Sequence, residues 1–195
     1  MSDIPKYLPL SQRPRRDETA VTSNWARQVA ALLLQLAEIV ERLDDTQWEQ
    51  VADATNTTLW LTTTSRLQRL RVRVGPQLAR EQAAQALRSA AVDAATGAAR
   101  RGIRVLSAVV VGTWEVAATL GLSVEVDSVA SGAVALARSL SAPTPIRAVV
   151  QVRTLVATDA DWRVGSGPEL EGTAAGIVLF LFGKQGLYGR GDLGG

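Results

Sequence analysis

The pattern of apolar positions is sharpest near the start of the chain. Trp25, Val29, Leu32, Leu33, Leu36, Val40 and Leu43 recur at intervals of three and four, the spacing that lines up one stripe of an α-helix. Ser23 or Asn24 stands ahead of the stripe as a cap, so the spacing predicts a helix from there to about Leu43. Burying such a stripe contributes very roughly 10–20 kcal/mol gross, before the entropy of ordering is subtracted. The stretch from Asp53 to Val74 is mixed. Thr55, Thr57, Thr58, Thr62, Thr63 and Thr64 are poor helix formers, and Leu70, Val72 and Val74 alternate with Arg71 and Arg73 as in a strand. Trp60, Leu67, Leu70 and Val74 also keep helical spacing, and on that ground the segment is read as helix.

Three further helices follow. Pro76 suits the first turn of an alanine-rich helix to about Arg101, with Gly102 as its stop. Ile103 to Leu120 places Leu106, Val109, Val110, Thr113, Val116 and Leu120 on one face, and Gly121 closes it. Asp127-Ser128 caps a helix of about Val129 to Leu140, after which Pro143 and Pro145 mark a linker. The pattern then changes. Val150, Val152, Thr154 and Val156 alternate as a strand, Thr158-Asp159-Ala160-Asp161 is turn-prone, and Trp162 and Val164 begin a second strand ending near Glu171. Gly172-Thr173 opens a short apolar helix to Phe182. A strand–strand–helix unit is too thin to stand alone, so it should pack on the helices. The expected organisation is a flexible arm over 1–22 (Pro5, Pro9 and Pro14 oppose helix there), a helical bundle over 23–142, a small α/β unit over 143–186 and a loose glycine-rich tail over 187–195. No internal repeat is present.

Composition narrows the chemistry. The 195 residues are 47% hydrophobic, enough for a real core. Cysteine and histidine are both absent. That excludes disulfides, thiolate nucleophiles, the usual neutral-pH general base and the commonest metal ligands. The first 22 residues carry Lys6, Arg13, Arg15 and Arg16 without an apolar run of signal length. The longest apolar run, Thr173 to Phe182, is half of the roughly 20 residues a spanning helix needs. A cytoplasmic protein is therefore expected, with no membrane partner, and the sequon at Asn56-Thr57-Thr58 carries no meaning there. Net charge is +2, but residues 66–104 hold nine arginines against Glu81 and Asp93. A basic middle attracts anions or nucleic acid.

Two segments carry a resemblance. Val109-Val110-Val111-Gly112-Thr113-Trp114-Glu115-Val116-Ala117-Ala118-Thr119-Leu120-Gly121 looks like a "VVH-x-W-D-L-A-x-A-x-G" helix. Ala157-Thr158-Asp159-Ala160-Asp161-Trp162-Arg163-Val164-Gly165, continuing through Gly172-Thr173-Ala174-Ala175 to Phe182-Gly183-Lys184, is similar to a "D-x-x-W-x-V-G … G-x-A-A-x-L-L-L-x-L-x-G-R" closing unit. The run Leu43-Asp44-Asp45-Thr46-Gln47-Trp48 looks like an opening helix passing into "L-x-D-x-x-W". Together they resemble the mycothiol-dependent maleylpyruvate isomerase-like family, over about half of the chain. The resemblance implies a DinB-like up-down helical bundle with a small sterol-carrier-like C-terminal domain, and mycothiol as a possible cosubstrate. It also implies a zinc site, and here the departures begin. The family's helix histidine falls on Gly112, and residues 51–70 contain neither the "G-W" pair that precedes its second histidine nor any histidine. A catalytic zinc needs about three protein ligands, so the resemblance implies the scaffold of a pseudoenzyme whose metal site is lost.

Trp114, Glu115, Asp161, Trp162 and Arg163 are the candidate pocket, between the bundle and the α/β unit. No catalytic residue, metal ligand or cofactor is assigned. The first reading is a non-catalytic or metal-free member that binds a small molecule or a protein partner. The second is an active mycothiol-dependent isomerase or transferase without zinc, in which arginines and Glu115 hold an anionic substrate. The third is a nucleic-acid-binding regulator acting through the Arg-rich 66–104 segment, although that segment offers no aromatic side chain for base stacking. Glu38, Glu41, Asp44, Asp45 and Glu49 form an acidic run read as a solvated helix end rather than a Mg²⁺ or Ca²⁺ site. Asp159 and Asp161 are read as turn residues. Gly165-Ser166-Gly167 and Gly183-Lys184 lack the context of a nucleotide-binding loop.

Overall fold

The computed structural model describes residues 24–63, 77–97 and 99–184. Within them run helices α1 (Ala26–Glu41), α2 (Asp45–Thr63), α3 (Arg80–Thr96), α4 (Ile103–Leu120), α5 (Ser128–Ser139) and α6 (Thr144–Val150). Strands β1 (Thr154–Ala157), β2 (Arg163–Gly165) and β3 (Glu169–Gly172) and helix α7 (Ala174–Leu181) follow. The protein is mainly α with a small sheet-and-helix unit at its C-terminal end, as the pattern predicts.

The α1 stripe is buried as expected, with Leu36, Ala37 and Val40 fully enclosed. Asn24 Oδ1 accepts the N–H groups of Ala26 at 3.3 Å and Arg101 at 3.0 Å, tying the entry of α1 to the entry of α4. Its other long partner is α3, whose Ala83, Ala84, Leu87, Ala90, Ala91 and Ala94 are buried. Alanines lower the ridge between helices and let the backbones approach.

Helix α2 begins eight residues before the expected start. Gln47 N–H donates to Asp44 Oδ1 at 2.8 Å and Asp44 N–H donates to Gln47 Oε1 at 3.1 Å, a reciprocal cap with Asp and Gln in place of Ser and Glu. The threonines do not prevent the helix. Thr58 and Thr62 donate to the carbonyls four residues back, at 2.8 Å each, and Thr63 does so at 2.7 Å, so their hydroxyls are satisfied inside the helix. The expected continuation through Leu67, Leu70 and Val74, Pro76, the arm at 1–22 and the tail at 187–195 lie outside the described residues. Helix α3 starts at Arg80 and stops at Thr96, short of the expected Arg101.

Helix α4 has its expected bounds. Gly121, at φ 66°, ends it with its own N–H and that of Leu122 returned to the last turn, a left-handed stop that glycine adopts without strain. By length and composition α4 alone among the described helices could cross a membrane, yet half of it is buried inside the protein. Asp127 caps α5, accepting Ala130 N–H at 2.9 Å.

The segment after α5 differs from expectation in three ways. The Pro143–Pro145 linker is helix α6, because Pro145 sits in a first turn where no N–H is required. Val150 ends that helix and Val152 is exposed, so the strand begins only at Thr154. The expected second strand is two strands, giving the order β2-β1-β3, with β2 antiparallel and β3 parallel to β1. Gly165 and Gly167, at φ 110° and 123°, carry the chain around the start of β1. A Cβ on either would lie 2.3 and 2.5 Å from the carbonyls of Arg153 and Val152, so the Gly-Ser-Gly is a crossover turn.

Helix α7 buries Ile177, Val178, Leu179 and Leu181 against α5 and α4. Thr173 accepts Gly176 N–H at 3.1 Å and Asp159 accepts Ala174 N–H at 2.6 Å. Asp159 is therefore a cap that also fastens the β1–β2 turn to α7.

Candidate functional site

A groove runs along one side of α4. On α4 it is lined at helical spacing by Arg104, Ser107, Ala108, Val111, Gly112 and Glu115, and α2 contributes Asp53, Ala54, Thr57, Thr58 and Leu61. Phe182 and Lys184, just past α7, and Ala137, Arg138 and Ser141 around the end of α5 complete it. A cavity of about 220 Å³ holds Asp53, Gly112, Glu115 and Lys184; another of about 520 Å³ holds Arg104 and Arg138. Leu61, Ser107, Ala108 and Phe182 line both, which makes them one continuous cleft.

The groove exists because small residues on α4 face no partner helix. Ser107 and Ala108 are only half-buried. One turn on, at the wall of the groove, the helices touch. A Cβ on Gly112 would lie 1.8 Å from Thr58 Oγ1 and 2.9 Å from Thr58 Cβ. No side chain fits there unless Thr58 gives way.

That contact bears on the zinc implied by the resemblance. The position matched to a histidine has neither a donor atom nor room for one. Glu115 lies in the groove, and Lys184 Nζ donates to its Oε1 at 3.0 Å, with the two side chains 32% and 46% exposed. An ammonium already neutralises that carboxylate. Among the described residues no three Asp or Glu side chains converge on a point. The residues present do not fit a zinc ion.

The five candidate pocket residues have separate surroundings. Glu115 lines the groove. Trp114 is buried in the core and its Nε1–H donates to the Val124 carbonyl at 3.4 Å. Trp162 packs on Gly132 of α5, where a Cβ would meet its ring at 3.1 Å, and its Nε1–H donates to Ser131 Oγ at 3.0 Å. It docks the sheet on the bundle. Asp161 is exposed, and Arg163 is exposed and paired with Glu169 across the sheet. Lys184, Arg138, Phe182 and Leu61 complete the groove but carry no sequence signal for it. Lys184 and Glu115 are 69 residues apart, and only the packing of α7 on α4 joins them.

The acidic run and the described arginines largely answer each other. Arg88 donates to both Glu41 oxygens, at 2.7 and 2.5 Å, linking α3 to α1. The pair holds the Glu41 carboxyl below, and the Arg88 guanidinium above, their ordinary values, mainly through that hydrogen bond. Arg80 donates to the Leu43 carbonyl, pairs with Glu81 at 2.9 Å and approaches Asp45 at 3.6 Å. Its guanidinium is raised, first by the Glu81 hydrogen bond. Glu81 is lowered, first by a backbone hydrogen bond and then by Arg80. Arg101 is half-buried beside a cavity of about 90 Å³ with Asp93 and Thr62. Arg100 and Arg104 are exposed, and Arg66, Arg69, Arg71 and Arg73 lie outside the described residues. Two of the five described arginines of the basic segment, Arg80 and Arg88, are thus held by carboxylates of the protein, while the buried Arg101 Nε has no hydrogen-bond partner among the described residues. Asn56 of the sequon is buried, donating to Gln77 Oε1 at 3.1 Å and accepting Leu78 N–H at 3.2 Å.

No protein-family model, curated protein or solved structure matches this chain.

Proposed function

We propose that this chain is a metal-free binding protein, a degenerate member of the maleylpyruvate isomerase-like type, that holds a small molecule in the cleft between its bundle and its C-terminal unit. The observation that carries the reading is the state of the α2–α4 contact. At Gly112 the helices touch too closely for any metal-binding side chain, and beside it Lys184 neutralises Glu115. The cleft then opens into a cavity of about 520 Å³, within the size range of small-molecule sites. Lined by half-buried alanine, serine, leucine and phenylalanine with a few charges, it has the make-up of a binding site more than of a catalytic one. Absence of cysteine and of any histidine accords with work in the cytoplasm without thiol or imidazole chemistry.

A melting screen of the full chain with thiols (mycothiol among them), divalent metals, duplex DNA and small organic acids tests this. The expected result is stabilisation by a small organic molecule that is lost in Ala108→Leu, which fills the cleft, and no stabilisation by zinc. One tightly bound zinc per purified chain would overturn the reading. Stabilisation by DNA alone, fading as salt rises, would transfer the function to the arginine-rich segment.

A further inference from the structure

The larger cavity has a charge of one sign. Among the described residues its lining includes Arg104 and Arg138 and no Asp or Glu. Arg138 is the informative residue. It is half-buried, its Nε–H donates to the Leu181 carbonyl at 3.1 Å, and its guanidinium lies 4.6 Å from the centre of the Phe182 ring. Hydrogen bonding to the last carbonyls of α7 accounts for one of its five donors. No carboxylate among the described residues pairs with it or with Arg104. Arg80 and Arg88, 26% and 41% exposed, have each found a carboxylate. An arginine clamped by a ring and a carbonyl beside a cavity, with its remaining donors uncommitted among the described residues, is preorganised for a planar oxyanion.

The rest of the lining is apolar. Leu61, Ile103, Ala108 and Phe182 face the same space, and the hydroxyls of Ser107 and Ser141 donate to backbone carbonyls one turn back, at 2.8 and 3.0 Å. A separate groove of about 500 Å³ between α1 and the start of α5 differs. There Arg27 is opposed by Glu125 and Asp127, so it offers no net attraction to an anion.

We propose that the cavity beside α4 and α5 binds an amphipathic oxyanion, with a carboxylate or phosphate head on Arg138 and Arg104 and an apolar body along Leu61, Ile103, Ala108 and Phe182. This rests on the reading of the cleft as a binding site and adds the class of ligand. A cationic head is rejected by two unopposed guanidinium groups, and a neutral head leaves them unanswered.

Calorimetric titration of the full chain with decanoate and 2-naphthoate tests it, each below any micelle-forming concentration. Decanol and decyltrimethylammonium are the neutral and cationic counterparts, and decyl phosphate separates the two head groups. Binding of the anions with no binding of the cation is expected, and the tighter of decanoate and decyl phosphate identifies the head. Arg138→Gln should weaken it by about tenfold or more, while Arg100→Gln, outside the cavity, leaves it unchanged. If Arg138→Gln fails to fold, Arg104→Gln, at an exposed position, provides the same test with a smaller loss. Equal binding of decanol and decanoate, or anion binding that neither arginine variant weakens, would overturn the proposal. If no anion binds but another small molecule stabilises the chain and loses that effect in Ala108→Leu, the ligand class is wrong and the binding cleft stands. If Ala108→Leu alters the response to no ligand at all, both fail.

Discussion

Two helix contacts in this protein use small residues to opposite ends. On α3, which packs on α1, the alanines at 83, 84, 90, 91 and 94 are buried, and Arg88 and Glu41 bridge the edge. Between α2 and α4 the helices touch at Gly112 and Thr58 and then part, so that Ser107 and Ala108 border a cleft. The first contact is apolar and closed but for a void of about 90 Å³ beside Ala90 and Ala94. The helices of the second also bury polarity, since the hydroxyls of Thr55 on α2 and Thr113 on α4 have no hydrogen-bond partner among the described residues. A small residue closes an interface only when a partner helix covers it; uncovered, it opens a site. Stability is thus drawn from one face of the bundle, and the proposed binding cleft lies on another.

The sharpest break of this contrast is Gly112→Val. Its branched side chain would overlap Thr58, and a loss of about 3 kcal/mol in urea unfolding is expected. Thr58→Gly in the same chain should recover part of it, and a fully additive double variant would show that the two positions do not meet. Next comes a matched pair. Ala91→Leu, in the closed interface, should cost about 1–3 kcal/mol, whereas Ala108→Leu, in the cleft, should stay within about 0.5 kcal/mol. Equal costs would mean that the cleft is closed in solution. Thr113→Val should raise stability by about 1 kcal/mol, because it removes an unanswered hydroxyl at nearly constant shape. A loss instead would reveal a partner for that hydroxyl.

The smallest effect concerns acid. The Glu41 carboxyl is held below its ordinary value by Arg88, so the contribution of the pair is present above that ordinary value and is lost as pH falls through the depressed one. Arg88→Gln should therefore flatten the acid side of a stability-against-pH curve slightly and leave neutral pH almost unaltered, since the pair is solvent-exposed. Thermal melts from pH 3 to pH 7 read this directly.

Much of the fold is legible in the residues. The α1 stripe, the bounds of α4 with its Gly121 stop, the Asp127 cap and the Thr173 start of α7 follow from spacing and local hydrogen bonding. Two places show one local signal outweighing another, the threonine-rich stretch read correctly as helix and the Pro143–Pro145 segment misread as a linker. Threonine propensity gave way to back-bonded hydroxyls within α2, and Pro145 began a helix instead of ending one. The site was less legible. Glu115 was visible as a candidate, but Trp114 and Trp162 proved to be packing residues, and Arg138 and Lys184 gained meaning only from what lies beside them.

Helix periodicity, caps and turns are decided within a few residues, because the hydrogen bonds and side-chain stripes that set them span only a turn or two. The order of elements, the mainly helical class and the lack of imidazole and thiol chemistry were therefore settled by the chain alone. Which face of α4 would be covered and which left open was not. That depended on how close α2 could come at Gly112, and on the packing of α7 that carries Lys184 to Glu115 and Phe182 to Arg138. Such contacts join residues far apart in the chain, and only tertiary packing brings them together.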